Sequence, residues 1–112
     1  MNDIVVDIGG TQLRAALYPP HGLEPRVFKA IPTSGEEPAL ERLFILIESI
    51  WPADTEVRRI ALAAPGALNP LTGVTYTIPN IPNWNGLHLV DHVQNRFNVE
   101  VRFGNDANLA AL

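Results

Sequence analysis

Residues that suit phosphate chemistry stand together near the N-terminus, in the segment "DIGGT" at positions 7–11. Asp7 closes an apolar run and could hold a hydrated Mg²⁺ that accompanies a nucleotide. Gly9 and Gly10 let the backbone turn sharply and present N–H groups to an anion, and Thr11 adds a hydroxyl donor. A simple glycine turn is the alternative interpretation of so short a motif. The segment matches neither the dinucleotide pattern nor the P-loop, so any phosphate would be bound from a hairpin.

A second group of polar residues lies near the C-terminus, in the segment "GNDAN" at positions 104–108. Asp106 follows a predicted strand, where its carboxylate could accept a proton from a substrate hydroxyl and orient that hydroxyl for attack. Asn105 and Asn108 offer the paired donors and acceptors that suit sugar hydroxyls. The same residue types are also favoured at a helix N-cap, and both interpretations stay open at this point.

A third candidate is the polar loop that follows the predicted central strand. Gly66 ends that strand in the motif "APG", and open α/β sheets usually bind their ligands at the ends of such strands. The loop continues with three uncharged amides, Asn80, Asn83 and Asn85. Trp84 could stack on a sugar ring or could simply pack the loop. Ordinary turn chemistry is the alternative explanation for all of these residues.

Two histidines, His88 and His92, stand four residues apart on a predicted helix, with Asp91 between them. That spacing can bind a metal ion, but the segment lacks the glutamate of the H-E-x-x-H pattern. A solvated helix face explains them better, and we predict no metal site there.

The elements that would position these residues form an α/β pattern with the order β-β-β-α-β-α-β-α. Apolar β-branched runs and alternation predict five strands, at Ile4–Ile8, Leu13–Tyr18, Arg26–Ile31, Arg59–Ala64 and Val99–Phe103. Three- and four-residue spacing of apolar residues predicts helices, at Leu40–Ile50, Leu87–Phe97 and Asn105–Leu112. Short turns make the first three strands an antiparallel meander, and the fourth suits a central parallel position, so the sheet should be mixed.

Local signals refine two of these elements. Ser34 and Glu37 have the spacing of a capping box at the start of the first helix, although Pro38 fits its first turn as well. Residues 67–85 should form a long loop with one short strand near Val74–Thr77, and loops of that length are often functional.

Composition limits the kinds of protein that this chain can be. Its 112 residues suffice for one core, and 46% hydrophobic with 18% charged residues fit a globular domain. A net charge of −4 offers no basic surface to nucleic acid. There is no cysteine, so disulfides and thiolate metal sites are excluded within the chain. Neither a secretory signal nor a membrane-spanning run is visible, which is compatible with a cytoplasmic protein.

Each of four short motifs is weak evidence alone, but their order along the chain is specific. "DIGGT", "APG", "PNIPNW" and "GNDAN" together resemble the ROK family of sugar kinases and repressors, from about Ile4 to the last residue. The resemblance implies an actin-like ATPase fold of the ribonuclease-H type, with ATP and a hexose bound in the cleft between two domains. Residues 1–112 would be the smaller N-terminal domain of a glucokinase-like enzyme.

The resemblance also implies roles for individual residues. Asp106 would be the catalytic base on the sugar 6-hydroxyl, and the sugar would contact three further residues, Gly66, Asn80 and Asn105. Gly9, Gly10 and Thr11 would form the first phosphate loop for ATP, and Asp7 would help to organise Mg²⁺.

Several parts of the family pattern have no counterpart in these residues. The second phosphate segment, the adenosine segment and the Cys/His zinc motif would belong to a C-terminal domain, so no family zinc site forms here. We therefore expect the 112-residue chain alone to be inactive, since phosphoryl transfer needs the phosphates held from several sides. An apolar face on the last predicted helix would favour a homodimer.

Two alternatives to a kinase remain on the sequence alone. One is the sugar-sensing domain of a ROK-type transcriptional repressor. A repressor would carry a helix-turn-helix before the first strand, and Met1 stands only three residues before Ile4, so the kinase is preferred if Met1 is the natural start. The other is a noncatalytic fragment with weak sugar contacts.

Overall fold

The fold is known from a computed structural model, which describes residues 2–53, 56–64, 71–76, 81 and 84–104. These residues contain five strands and two helices in the order β-β-β-α-β-α-β. The strands are β1 (Asn2–Ile8), β2 (Gln12–Tyr18), β3 (Val27–Pro32), β4 (Val57–Ala63) and β5 (Glu100–Gly104). The helices are α1 (Ala39–Ser49) and α2 (Leu89–Phe97).

The strands form one mixed sheet with the spatial order β3-β2-β1-β4-β5. The first three strands pair antiparallel as the predicted meander, while β4 lies between β1 and β5 and is parallel to both. Four strands, β1, β3, β4 and β5, therefore run in one direction and end at one edge of the sheet. We call this the carboxyl edge, and the β1–β2 hairpin lies on it.

Side-chain alternation gives the sheet two different faces. The face under the helices carries large aliphatic residues such as Ile4, Leu13 and Ile60, all fully buried against Leu43 and Val93 of the helices. Burying one such side chain is worth about 1.5–3 kcal/mol, so this face supplies most of the driving force for folding. The opposite face has small residues at its centre, where Ala61 and Ala63 pack against Val5.

The two helices contact each other through aromatic side chains near their C-terminal ends. Phe97 of α2 stacks on Trp51 with ring centroids 5.3 Å apart and meets the edge of Phe44 at 5.8 Å. The guanidinium of Arg96 lies 5.3 Å from the Phe97 ring centroid and pairs with Glu48. Pairs of this kind add about 0.5–1.5 kcal/mol to simple burial, which fixes the two helices side by side.

The start of α1 differs from the capping-box prediction. Pro38 is the N-cap residue and no side chain caps the helix, so Ser34 does not have the predicted role. The reason lies in Glu37, whose carboxylate pairs with Arg42 at 3.0 Å instead of returning to the backbone of the cap. Pro38 is compatible with this position because it provides the extended backbone that precedes a helix.

Other boundaries differ from the predicted ones by one or two residues. α2 begins at Leu89 rather than Leu87, because Leu87 belongs to the preceding turn, and β5 begins at Glu100. Within the described part of the predicted loop, Val74 forms a single bridge with His88 instead of a strand. The predicted last helix, Asn105–Leu112, falls outside the described residues. In the described part of the chain, no helix is long and apolar enough to cross a membrane.

Candidate functional site

The "DIGGT" segment forms the tight β1–β2 hairpin at the carboxyl edge. The N–H of Gly9 donates to the carbonyl of Gln12 at 3.0 Å, which leaves Gly10 and Thr11 at the tip. A Cβ on Gly9 would lie 3.0 Å from the Gln12 carbonyl oxygen, so close approach of the two strands explains a glycine there. Thr11 is exposed and Gly10 is half-buried, which makes the tip accessible to a ligand.

Thr33 holds the hairpin from the side, and it was not among the predicted site residues. It is completely buried directly after β3. Its hydroxyl donates to the Gly9 carbonyl at 2.8 Å and its N–H donates to the Thr11 carbonyl at 3.0 Å. No local pattern could indicate this contact, because it depends on the β2–β3 register that brings the end of β3 beside the hairpin.

Asp7 is exposed near the end of β1, one residue before the strand finishes. Its neighbours Val6 and Ile8 point into the core, so alternation places Asp7 on the face away from the helices. Arg14 is its direct partner on β2, and the Arg14 Nε donates to Gln12 Oε1 at 3.1 Å. A carboxylate and a guanidinium therefore flank the hairpin on one face. The first suits a cation and the second suits phosphate.

A second buried threonine, Thr75, anchors the loop that ends the "PNIPNW" segment. Its hydroxyl donates to the Trp84 carbonyl, and its N–H donates to the Leu87 carbonyl at 2.9 Å. Gly86 completes the turn with a φ of +80°, a conformation that favours glycine. Trp84 is only 4% exposed and belongs to the core cluster, so of its two predicted roles the structure shows loop packing.

A groove separates these two anchored segments. Its volume is about 540 Å³, within the range of small-molecule sites. One wall is the chain from Thr33 to Leu40, and the other consists of Trp84 and Leu87. Glu36 on its rim is exposed. The groove thus combines apolar side chains with the exposed carboxylate of Glu36. Thr33, which lines the groove, also bonds to the hairpin.

Register places the ends of three strands in one row at the carboxyl edge. Asp7 pairs with Ala63 on β4, and Ala63 pairs with Gly104 on β5. Neighbouring strands are about 4.8 Å apart, so Gly104 lies roughly 10 Å from Asp7 across the row. The ends of β4 and β5, which precede Gly66 and Asp106 in the sequence, therefore lie at the edge that holds the hairpin.

The predicted site residues divide into two groups. Four of them, Asp7, Gly9, Gly10 and Thr11, are described and lie together at the hairpin. The other four lie outside the described residues: Gly66, Asn80, Asn105 and Asp106.

Several described ion pairs lie away from this edge, near the starts of β1, β4 and β5. Hydrogen bonds from Arg59 and Arg102 lower the pKa of the Glu100 carboxyl at the start of β5. Arg58 donates to Asp3 in two hydrogen bonds, which raise its pKa. The Arg58–Asp3 pair joins β4 to β1 and the Arg59–Glu100 pair joins β4 to β5, while Arg102 and Glu100 both belong to β5. These are surface contacts, so they bear on stability rather than on chemistry.

Comparisons with known proteins give this geometry a context. A sequence model of the ROK family matches residues 3–112. The β-glucoside kinase of Listeria innocua is 32% identical over 108 residues, covering 95% of this chain and 35% of the kinase. A ROK family glucokinase from Streptomyces griseus, solved with glucose and AMPPNP, is 25% identical with a TM-score of 0.79, covering 99% of this chain and 35% of that one. A ROK family transcriptional regulator, 23% identical with a TM-score of 0.75 over 94% of this chain and 28% of its own, shares the fold.

Proposed function

Because this chain belongs to the ROK family and shares its actin-like ATPase fold, we propose that it is the N-terminal domain of a cytoplasmic, ATP-dependent sugar kinase. The reaction is transfer of the ATP γ-phosphoryl group to the 6-hydroxyl of a hexose. The chain spans 35% of the length of the curated β-glucoside kinases that it matches, so the C-terminal domain that completes the cleft is part of the proposal.

The observation that supports this function best is the row of strand ends. A glycine hairpin, the end of β4 and the end of β5 meet at one edge, each followed or formed by a polar motif. Phosphoryl transfer needs nucleotide and acceptor positioned side by side, with little covalent work for the protein. An edge where the glycine hairpin and the ends of β4 and β5 lie side by side is suited to that task.

The residues of the hairpin fit a magnesium–nucleotide ligand. Gly9, Gly10 and Thr11 would hold the phosphates with backbone N–H groups and a hydroxyl. Asp7 has an exposed carboxylate on the adjoining strand, and a hard oxygen of that kind suits Mg²⁺ directly or through water. When bound, the metal neutralises charge on the phosphates. Arg14, across from Asp7, adds a further positive charge on the same face.

We assign binding of the sugar, the phosphoryl acceptor, to the motifs that follow β4 and β5 in the sequence. Asp106 would accept the proton of the sugar 6-hydroxyl and orient its oxygen for in-line attack. Gly66, Asn80 and Asn105 would contact the other sugar hydroxyls. The groove beside Trp84 and Leu87 provides space for the sugar at the same edge.

One experiment tests this function directly. ADP formation is measured with purified full-length protein, glucose or a β-glucoside, and Mg·ATP, and the 112-residue chain is assayed in parallel. We expect sugar-dependent turnover by the full-length protein and none by the chain alone. Absence of turnover with every hexose tested would contradict the kinase proposal. Sugar-dependent turnover by the isolated chain would contradict the need for a second domain.

A further inference from the structure

The contact between Thr33 and the hairpin points to a role that the sequence motifs do not reveal. Thr33 is fully buried directly after β3, and both of its hydrogen bonds go to the hairpin. Its hydroxyl donates to Gly9 and its N–H donates to Thr11, the residues on either side of Gly10. We propose that Thr33 is a positioning residue for ATP: it fixes the backbone of the phosphate hairpin in the conformation that receives the nucleotide. This inference rests on the proposed kinase function.

The position of Thr33 is itself fixed from the helix side. Arg42 of α1 donates through Nε to the Pro32 carbonyl at 2.9 Å and pairs through Nη1 with Glu37 at 3.0 Å. Its guanidinium occupies the space next to Gly35, where a Cβ would lie 2.2 Å from Nη1. The segment from Pro32 to Glu37 is thus held on both sides of Thr33. Because this segment is fixed, Thr33 can restrain the backbone of the hairpin through its hydrogen bonds.

The hairpin needs such support because its own hydrogen bonding is limited. A two-residue tip is closed by the Gly9–Gln12 bond, and glycines carry more conformational freedom than other residues. Phosphate binding by backbone N–H groups requires those groups to converge before the ligand arrives, since ordering them on binding weakens affinity. A buried hydroxyl that donates to the Gly9 carbonyl restricts the peptide between Gly9 and Gly10 to one orientation. The effect should therefore be seen in ATP binding rather than in sugar binding.

A pair of valine variants separates this role from simple stability. Thr33→Val keeps the shape of the side chain but removes the donor to Gly9. Thr75→Val is the matched control, because Thr75 is also buried and donates to the Trp84 carbonyl, away from the hairpin. In the full-length enzyme we expect Thr33→Val to raise the KM for ATP roughly three- to tenfold, the value of one hydrogen bond, with the sugar KM unchanged. Thr33→Ser retains the hydroxyl and should restore the ATP KM.

The result for Thr75→Val completes the test. Its ATP KM should equal that of the wild type. An equal rise of the ATP KM in both valine variants, or a rise of both KM values in Thr33→Val, would overturn the positioning role. Failure of Thr33→Ser to restore ATP binding would do the same.

A measurement on the wild-type protein keeps the inference testable if Thr33→Val does not fold. Amide hydrogen exchange should show the Thr33 N–H as protected as the Gly9 N–H, since both close the hairpin. Exchange of the Thr33 N–H as fast as that of exposed Ser34 would contradict the contact. Protection of Thr33 in a protein without kinase activity would reject the proposed function and leave the contact intact. An active enzyme whose Thr33 N–H is unprotected would reject the positioning role alone.

Discussion

The helix-covered face of the sheet and its carboxyl edge are built in different ways. The face is held by many interchangeable apolar contacts among residues such as Ile4, Ile60 and Leu46. The edge is held by a few directed hydrogen bonds, chiefly those of the buried residues Thr33 and Thr75. Apolar burial is roughly additive and non-directional, whereas a hydrogen bond acts on one atom in one geometry. Changes in the face should therefore affect stability, and changes at the edge should affect the site.

The largest predicted effect is the loss of stability when a buried residue of the helix-covered face is truncated. Ile60 is fully buried on β4, an inner strand of the sheet, so Ile60→Ala leaves a cavity and should lower the free energy of unfolding by about 2–5 kcal/mol. Urea unfolding of the full-length protein measures it. Leu23→Ala is the control, since Leu23 is 92% exposed and should change stability little. A loss for Ile60→Ala no greater than that of the control would show that the face is not the main source of stability.

A smaller effect on stability, with a larger effect on the site, is expected at the hairpin. In Gly9→Val, the added side chain starts 3.0 Å from the Gln12 carbonyl and must push the strands apart, at a cost of about 1–3 kcal/mol. The ATP KM should rise more than the sugar KM. Ala30→Val adds similar bulk at an exposed position of β3 and should leave both KM values unchanged. Unchanged ATP binding in Gly9→Val would argue against phosphate binding by the hairpin.

The different origins of face and edge also explain what could be predicted from the sequence. The antiparallel meander and the inner, parallel position of β4 follow from local apolar runs and short turns, and the structure shows both. The "DIGGT" motif could be recognised because its four polar or flexible residues fall within five consecutive positions. Thr33 could not, since 24 residues separate it from Gly9 and only the strand register brings them together.

The wrong capping-box prediction has a similar cause. Ser34 and Glu37 have the required spacing, but a charged partner, Arg42, competes for the Glu37 carboxylate. Local patterns are thus reliable where apolar periodicity decides the outcome. Local patterns are less reliable where a polar group can form hydrogen bonds with several alternative partners.

The smallest predicted effect on stability comes from exposed charged residues, which belong to neither the helix-covered face nor the carboxyl edge. The pKa of Glu100 is lowered by Arg59 and Arg102, so its contribution to stability is present above the unfolded-state pKa and is lost as pH falls through the folded-state pKa. Glu100→Gln should lower the urea midpoint slightly at about pH 7, and the difference from wild type should shrink as the pH falls through the lowered pKa of Glu100. A difference that stays constant across this pH range would contradict the assignment.

The most direct test of the central claim is the kcat of Asp106→Asn in the full-length protein. Asparagine keeps the size of the side chain but cannot accept the proton of the sugar hydroxyl at the same pH. If the carboxyl edge is the wall of a sugar-kinase cleft with Asp106 as its base, kcat should fall by a factor of about 10² or more while ATP still binds. A kcat within a few-fold of the wild type would contradict the account.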